Sequence, residues 1–211
     1  MSKERLAILG AGDLGRQLAH WATTTQQYEV IGFLDDTIPG MQVDGCPVIG
    51  GISEAIDLYS RGLFDCVIIA VGYHHFDFRE KLFNHLAENQ VPFATIIAPN
   101  VYIDPTAHIG AGCVLYPGCI IDYEAYIGDN VILNLGSIIS HNSRIGNHSF
   151  IAPGAVVAGF SSVGSKSFIG ANAVISEKLS MADSIIIGAG AVVTKSLCEE
   201  GTYVKFNFKL K

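Results

Sequence analysis

Three histidines, His108, His141 and His148, fall in a stretch of the chain that is otherwise poor in polar side chains. His141 stands in Ile139-Ser-His-Asn142, two places after an aliphatic residue, where its ring can face a groove instead of a core. An imidazole that changes charge near neutral pH suits general-base work, taking the proton of an amine or hydroxyl as that group attacks a carbonyl. On the residues alone, a surface or core histidine is the commoner outcome at such a position. A second constellation lies near the start of the chain, in Gly10-Ala-Gly12-Asp13-Leu-Gly15. In a GxGxxG turn the first glycine allows the tight bend, the second lets backbone approach a phosphate, and the third lets helix and strand pack closely. Asp35 and Asp36 follow about twenty positions on, where a ribose hydroxyl is usually bound. Gly72-Tyr73-His74-His75 is the third polar cluster. A purely structural turn is the alternative for the glycines, and a solvated loop for His74 and His75.

These residues need elements to hold them. Arg5–Leu9 reads as a buried strand, Arg16 to about Gln27 as a helix, and Glu29–Leu34 as a second strand ending at Asp35. The segment with Pro39, Gly40, Gly45 and Pro47 reads as a loop. A short helix over Ser53–Arg61, a strand over Cys66–Val71, a helix over about Phe76–Asn89 and a last strand over Pro92–Ile97 complete a β-α-β-α-β-α-β order. That order predicts a small parallel sheet with right-handed crossovers, a Rossmann-like α/β domain over residues 1–98. Ligands of such sheets bind beyond the carboxyl ends of the strands, the edge that carries Gly10, Gly12, Asp13, Asp35, Asp36, Gly72 and Tyr73. The sheet is half the size of a full dinucleotide domain, and no second catalytic α/β domain follows. A nucleotide carried by the substrate therefore fits better than NAD.

His141 belongs to a different architecture. From Ile103 to Val193 every sixth residue is aliphatic, sixteen in succession without a register break. Four places after most of them the residue is small, as at Cys113, Cys119, Ser137, Ser143, Ala155 and Ser161. A period of six fits neither a helix nor an isolated strand; it is the hexapeptide signature of a parallel β-helix, three sides and eighteen residues to a coil. About five coils follow from that count. Gly110, Gly128, Gly146 and Gly164 recur at eighteen, as do Gly170 and Gly188, and read as corners that need unusual dihedrals. Ala98-Pro99-Asn100 marks the boundary, so the solenoid domain is 101–211. Its tail, Tyr203–Lys211, reads as a cap over the last coil or an added edge strand.

Bulk properties narrow the function classes. The net charge of −7, with no basic cluster, argues against nucleic acid as a partner. No apolar run approaches eighteen residues, which predicts no membrane span, and Met1-Ser-Lys-Glu-Arg leads straight into a strand, which predicts a cytoplasmic protein. None of the five cysteines forms CxxC. Cys113 and Cys119 occupy the small slot of the repeat and read as packed thiols.

The hexapeptide pattern resembles the left-handed β-helix of acyltransferases, and the left-handed sense comes from that resemblance. The whole chain is similar to sugar acetyltransferases of the sialic-acid O-acetyltransferase type, nearest to those that N-acetylate nucleotide-linked 4-amino sugars in bacterial surface polysaccharide biosynthesis. The motifs are Leu9-Gly-Ala-Gly-Asp-Leu-Gly15, Gly32-Phe-Leu-Asp-Asp36, Ala70-Val-Gly72, Leu133-Asn-Leu-Gly-Ser-Ile-Ile-Ser-His141, Ile151-Ala-Pro-Gly-Ala-Val-Val-Ala-Gly159 and Ile187-Gly-Ala-Gly-Ala-Val-Val-Thr-Lys195. The resemblance implies His141 as catalytic base with Asn142 beside it, Asn134 near the amino sugar, and the Gly159 N–H on the thioester carbonyl. It implies acetyl-CoA running past Ala171 and Ala189, no metal, and a homotrimer with sites between neighbouring solenoids. Three departures stand out. The residue after the base is acidic in the family and is Asn142 here, an amide that can orient the ring but brings no charge. A second family histidine falls on Phe150, and His148 does not take its place. The family's terminal Gly-x-Pro-Ala-Lys is replaced by Lys205-Phe-Asn207. The implied reaction is direct acetyl transfer from acetyl-CoA to the 4-amino group of a nucleotide-linked amino sugar. The rivals are a sugar O-acetyltransferase, a metal hydrase on the same solenoid, and a non-enzymatic binding module.

Overall fold

A computed structural model describes residues 3–38 and 40–204. The chain divides into two compact units, Met1–Ala98 and Pro99–Lys211. In the first, β1 (Arg5–Leu9), β2 (Glu29–Leu34), β4 (Cys46–Gly50) and β5 (Cys66–Ile69) form a parallel sheet, with β3 (Gln42–Val43) antiparallel on the edge; the order is β3-β4-β2-β1-β5. The helices are α1 (Asp13–Thr24), α2 (Ala55–Ser60) and α3 (Phe76–Glu88). Ala7, Leu9, Leu34, Val67 and Ile69 from the strands pack with Leu82, Phe83 and Leu86 of α3 in one buried cluster.

Three expectations need correction here. Of the segment expected as a loop, Gln42–Val43 and Cys46–Gly50 form a hairpin that widens the sheet. Asp44 and Gly45 take φ of 50° and 80°, and two left-handed residues in succession are what the tight turn of a hairpin requires. The helix after the glycines begins at Asp13 and stops at Thr24. The hydroxyls of Thr24 and Thr25 donate to the His20 and Trp21 carbonyls at 2.8 and 2.6 Å, and Gln26 turns left-handed at φ 56°. The strand expected over Pro92–Ile97 is missing from this sheet: beside β5 there is only a bridge from Phe93 to Val67, and Ile96–Ile97, though extended, takes no place in the sheet order. Pro92 has no N–H to donate, and β5 beside it is only four residues long.

The second unit is a left-handed parallel β-helix. Its strands are two or three residues long and stack into three faces. The first face carries Tyr102–Ile103, Ile120–Ile121, Ile138–Ile139, Val156–Val157, Val174–Ile175 and Val192–Val193. The second carries His108–Ile109, Tyr126–Ile127, Arg144–Ile145 and Ser162–Val163. The third includes Val114–Leu115, Ile132–Leu133, Phe150–Ile151, Phe168–Ile169, Ile185–Ile187 and Gly201–Tyr203. In each two-residue strand the second residue is the aliphatic of the repeat. From Leu115 to Val193 all of these are buried; Ile103 and Ile109, on the first coil, are half-buried. Each such side chain contributes about 1.5–3 kcal/mol by leaving water.

The small slot has a second use. Buried Ser143, Ser149 and Ser161 donate their hydroxyls to the carbonyls of Ala158, Gly164 and Ser176 at 2.8–3.0 Å. The same oxygens accept N–H groups eighteen residues on, from Ser161, Ser167 and Leu179. Each serine therefore ties two coils with no unsatisfied polar atom. Cys113 and Cys119 are buried in this slot, and Cys119 rests 3.2 Å from the Asn134 carbonyl; burial pushes its thiol above the ordinary range.

The recurring glycines play a different part from the one expected. Gly110, Gly146, Gly164 and Gly170 do not have positive φ. A Cβ on any of them would lie about 2.5–2.6 Å from backbone or side-chain atoms of the next coil. The left-handed backbone falls two residues later, at every sixth residue from Gly112 to Gly190, and nine of those fourteen corners hold a side chain, Glu124, Asn142 and Phe160 among them. In the last turn Met181 pairs with Leu197 and Ile187 with Tyr203, sixteen residues on instead of eighteen. Gly201–Tyr203 adds a strand there, while the rest of the predicted tail, from Lys205 on, lies outside the described residues.

Candidate active site

In the first unit the carboxyl ends of β1, β2 and β5 converge on the glycine turn. The Gly10 N–H donates to the Leu34 carbonyl at 2.8 Å, and Gly10, at φ 108°, has room for no Cβ because the Ala70 carbonyl oxygen would be 2.9 Å away. Gly15 faces the Gly10 carbonyl so closely that no side chain fits. Gly12, the N-cap of α1, has nothing within 4 Å of a would-be Cβ, so its outer side is open to a ligand. Gly72, which leads into a 3-10 turn over Tyr73–His75, is open in the same sense.

The acidic residues are partly committed to the protein. Asp35 accepts the Ala11 N–H at 2.9 Å and the Thr37 N–H and hydroxyl at 2.9 and 2.6 Å. Burial pushes its carboxyl up, but the bonds from Thr37 and Ala11 outweigh this and leave it below the usual range. Asp35 thus fixes the glycine turn. Asp36 accepts the Ile52 N–H at 2.9 Å and borders a cleft of about 390 Å³ with Ile52, Phe78, Lys81 and His85. Asp13 lies 3.8 Å from the Arg16 guanidinium, its side chain almost wholly in solvent. His74 and His75 are exposed. Arg79 escaped the sequence reading. Its guanidinium is buried and donates to the Val71 and Ile69 carbonyls at 2.5 and 3.3 Å, holding the end of β5 in place. The signal was available, since Arg79, Leu82, Phe83 and Leu86 share one face at helical spacing.

In the solenoid His141 projects from the corner between the first and second faces. Its N–H donates to Asp122 at 3.2 Å, and its Nδ1 lies 3.2 Å from Asn142 Oδ1. Phe160 presents an edge to the ring at 5.0 Å. Gly159, one coil on, packs against the imidazole; a Cβ there would come within 2.6–2.7 Å of Cε1 and Nε2. The Gly159 N–H finds no acceptor among the described residues. Behind Asn142 the amide Nδ2 donates to Glu124 Oε2 at 2.6 Å. No group of metal-ligating side chains occurs among the described residues.

The remaining solenoid candidates sit elsewhere. Asn134 follows a third-face strand, and its Oδ1 accepts the Leu135 N–H at 2.7 Å. Ala171 and Ala189 follow third-face strands too, one coil apart, with the Gly190 N–H bonded to the Ala171 carbonyl. All three belong to the corner between the third and first faces. His141 and Gly159 belong to the corner at the other edge of the first face. Within one chain the structure does not bring these two groups together. Phe150 stacks on Phe168 on the third face at 5.4 Å, and His148 is buried against Asn130 at 3.1 Å.

Comparison with known proteins follows the same division. Residues 97–205 match the GMPPB C-terminal domain, and residues 5–86 match the PglD N-terminal domain. The chain is similar to the acetyltransferase domain of PglB from Neisseria gonorrhoeae FA1090, solved in complex with acetyl coenzyme A. The identity is 28%, with 97% of each chain covered and a TM-score of 0.88. It is similar to PerB from Caulobacter crescentus, solved with CoA and GDP-perosamine, at 25% identity over 95% of this chain and 93% of that one, TM-score 0.87. WeeI from Acinetobacter baumannii AYE is 27% identical over 95% and 96% of the two chains, TM-score 0.80. A search among curated proteins found no match. The match over more than half of its length places the chain in the family of the GMPPB C-terminal domain, and with the PglD N-terminal domain ahead of it the chain belongs to the hexapeptide-repeat nucleotide-sugar acetyltransferases.

Proposed function

We propose that the protein transfers the acetyl group of acetyl-CoA to the 4-amino group of a nucleotide-linked amino-dideoxy sugar. One observation carries the reading. His141 lies against Gly159, whose N–H has no acceptor among the described residues, in a chain that matches over nearly all its length proteins solved with acetyl coenzyme A and with CoA and GDP-perosamine. The nucleotide is held at the open backbone of Gly12 and Gly72, at the edge that Asp35 keeps in shape. The neutral amine attacks the thioester carbon, and a C–N bond forms as His141 Nε2 takes the amine proton. The Gly159 N–H donates to the oxyanion. Collapse of the tetrahedral intermediate breaks the C–S bond, and the imidazolium returns the proton to the leaving CoA sulfur. No step requires a metal.

A homotrimer is part of the proposal. The outward residues of the first face are Tyr102 on the first coil and then Ile120, Ile138, Val156, Val174 and Val192, an apolar ladder, whereas the second face presents His108, Tyr126, Arg144 and Ser162. An apolar face flanked by both groups of site residues fits burial against a second copy. It would bring His141 and Gly159 of one copy beside Asn134, Ala171 and Ala189 of the next. No described helix is long and apolar enough to cross a membrane. Action on a nucleotide sugar with acetyl-CoA fits a cytoplasmic step that supplies bacterial surface polysaccharide synthesis.

The deciding assay measures thiol release from acetyl-CoA with UDP-, dTDP- and GDP-linked 4-amino-4,6-dideoxy sugars, with free sialic acid alongside. Release with one nucleotide amino sugar, lost in a folded His141→Ala variant, is the expected result. Release with sialic acid alone would make the enzyme an O-acetyltransferase, and wild-type rates in His141→Ala would remove that residue from the mechanism.

A further inference from the structure

We infer that Glu124, one coil below His141, is a positioning residue that fixes the tautomer of the base through Asn142. The inference rests on the reading of His141 as the base, and its geometry is a three-member chain. Glu124 Oε2 accepts from Asn142 Nδ2 at 2.6 Å, and Asn142 Oδ1 faces His141 Nδ1 at 3.2 Å. The chemistry of the end group sets the direction of every bond. An ionised carboxylate only accepts, so Asn142 must turn its NH₂ toward Glu124. Its carbonyl then faces the imidazole, and a carbonyl also only accepts, so Nδ1 must carry the proton. Nε2, the nitrogen that lies with Cε1 over Gly159, is left with its lone pair exposed. That is the nitrogen a general base needs.

Two further observations favour a functional Glu124 over a structural one. Its backbone is left-handed, φ 52°, at a corner where glycine or asparagine would be less strained and where the repeat elsewhere uses both, as at Gly118 and Asn130. The fold therefore does not ask for glutamate here. Glu124 is also gathered by its surroundings: its N–H donates to the Thr106 hydroxyl at 2.9 Å, which in turn donates to Asp104 at 2.6 Å. The Tyr123 hydroxyl is held above its ordinary pKa, first by its hydrogen bond to Glu124. The carboxylate that the resemblance places directly after the histidine is thus supplied here from the coil below, with Asn142 as the connector.

The test uses the full-length protein and three variants, Glu124→Gly, Glu124→Gln and the double variant Glu124→Gly with Asn142→Asp. Glycine suits the left-handed corner, so Glu124→Gly should fold and melt no lower than the wild type. With nothing to hold the amide, Asn142 can present Nδ2 to Nδ1 and drive the proton to Nε2. The expected result is a kcat lower by about tenfold or more with KM for acetyl-CoA within about twofold. Glutamine at 124 can still accept from Asn142 and should fall between. The double variant puts a carboxylate directly on Nδ1 and should recover most of the lost kcat. Nitrogen-15 NMR of the free protein, assigned with His141→Ala, reads the tautomer without substrate. It should report Nδ1–H in the wild type and double variant, and a loss of that signature in Glu124→Gly. A wild-type Nδ1–H signature retained in Glu124→Gly, or an unchanged kcat, would overturn the inference. Because the NMR arm needs no turnover, an inactive wild type would count against the proposed function while still deciding the role of Glu124.

Discussion

At the scale of single residues, the most demanding contact in the solenoid is that between Gly159 and the His141 ring. Gly159 does not have positive φ, so alanine is compatible with its backbone. The obstacle is the imidazole: a methyl group would sit 2.6 Å from Cε1. The ring is the movable partner, because it is exposed and, among the described residues, its contacts are Asn142 and the edge of Phe160. Gly159→Ala should therefore leave thermal stability close to wild type while displacing the base by several tenths of an ångström or more. A misplacement on the order of 1 Å costs about a hundredfold in rate. Steady-state kinetics beside a melting curve checks this; a variant that turns over normally would mean that His141 is not held where the chemistry occurs. Glu124 illustrates what was hard to read at this scale. It lies seventeen positions before His141 and is unremarkable in any linear motif. Subtracting one eighteen-residue coil from Asn142 gives its number, so the contact was legible once the coil length was known, and only then.

At the scale of elements, periodicity carried most of the information. Fifteen of the sixteen aliphatic positions are the inward residues of the stacked strands, and Met181 is buried at an isolated bridge, because a six-residue side admits one large core side chain and tertiary packing cannot override so long a register. Where the local pattern misleads, the cause is physical. Around Asp44-Gly45 the neighbouring prolines dominate the local pattern and suggest a loop, although this dipeptide is the strongest short signal for a hairpin. The recurring glycines were assigned to strained corners, whereas their role is to let coils approach. Those two explanations predict different mutants. Gly146→Ala places a Cβ 2.5 Å from the Ser165 backbone nitrogen, which cannot move without opening the stack, and should cost about 1–3 kcal/mol. Gly136→Asn, at φ 63° with open space around it, should cost about 1 kcal/mol or less, since asparagine already serves at the equivalent corners 130, 142 and 172. Urea denaturation of the two variants side by side separates the roles, and an equal loss in both would refute the distinction.

At the scale of the whole molecule, the candidate residues divide between the two edges of one face, which fits the proposal that sites form between copies. His141 and Gly159 occupy one edge of the first face, and Asn134, Ala171 and Ala189 the other. The sequence motifs could name these residues but not their corners, because a hexapeptide register says which residues point inward and leaves the neighbour of a corner unspecified. If copies meet through the first face, a charge in the middle of its apolar ladder should prevent assembly without disturbing the coil, since the outward residue of each first-face strand lies outside the buried core. Val156→Glu is the suitable change: Val157 beside it stays buried, and Val156 pairs only with Ile138 and Val174 along the face. Sedimentation equilibrium should give a trimer mass for the wild type and a smaller mass for the variant, with turnover falling in parallel. Subunit mixing then separates a shared site from a merely stabilising contact. His141→Ala removes the base from one edge, and Ala189→Trp, at an exposed position, blocks the other. Each homotrimer should be inactive. Trimers assembled from both, after dissociation and reassociation, contain interfaces that join an intact His141 edge to an intact Ala189 edge, and these should regain part of the wild-type rate. Recovery of none, with mixed trimers demonstrated by mass, would place the whole site within a single chain.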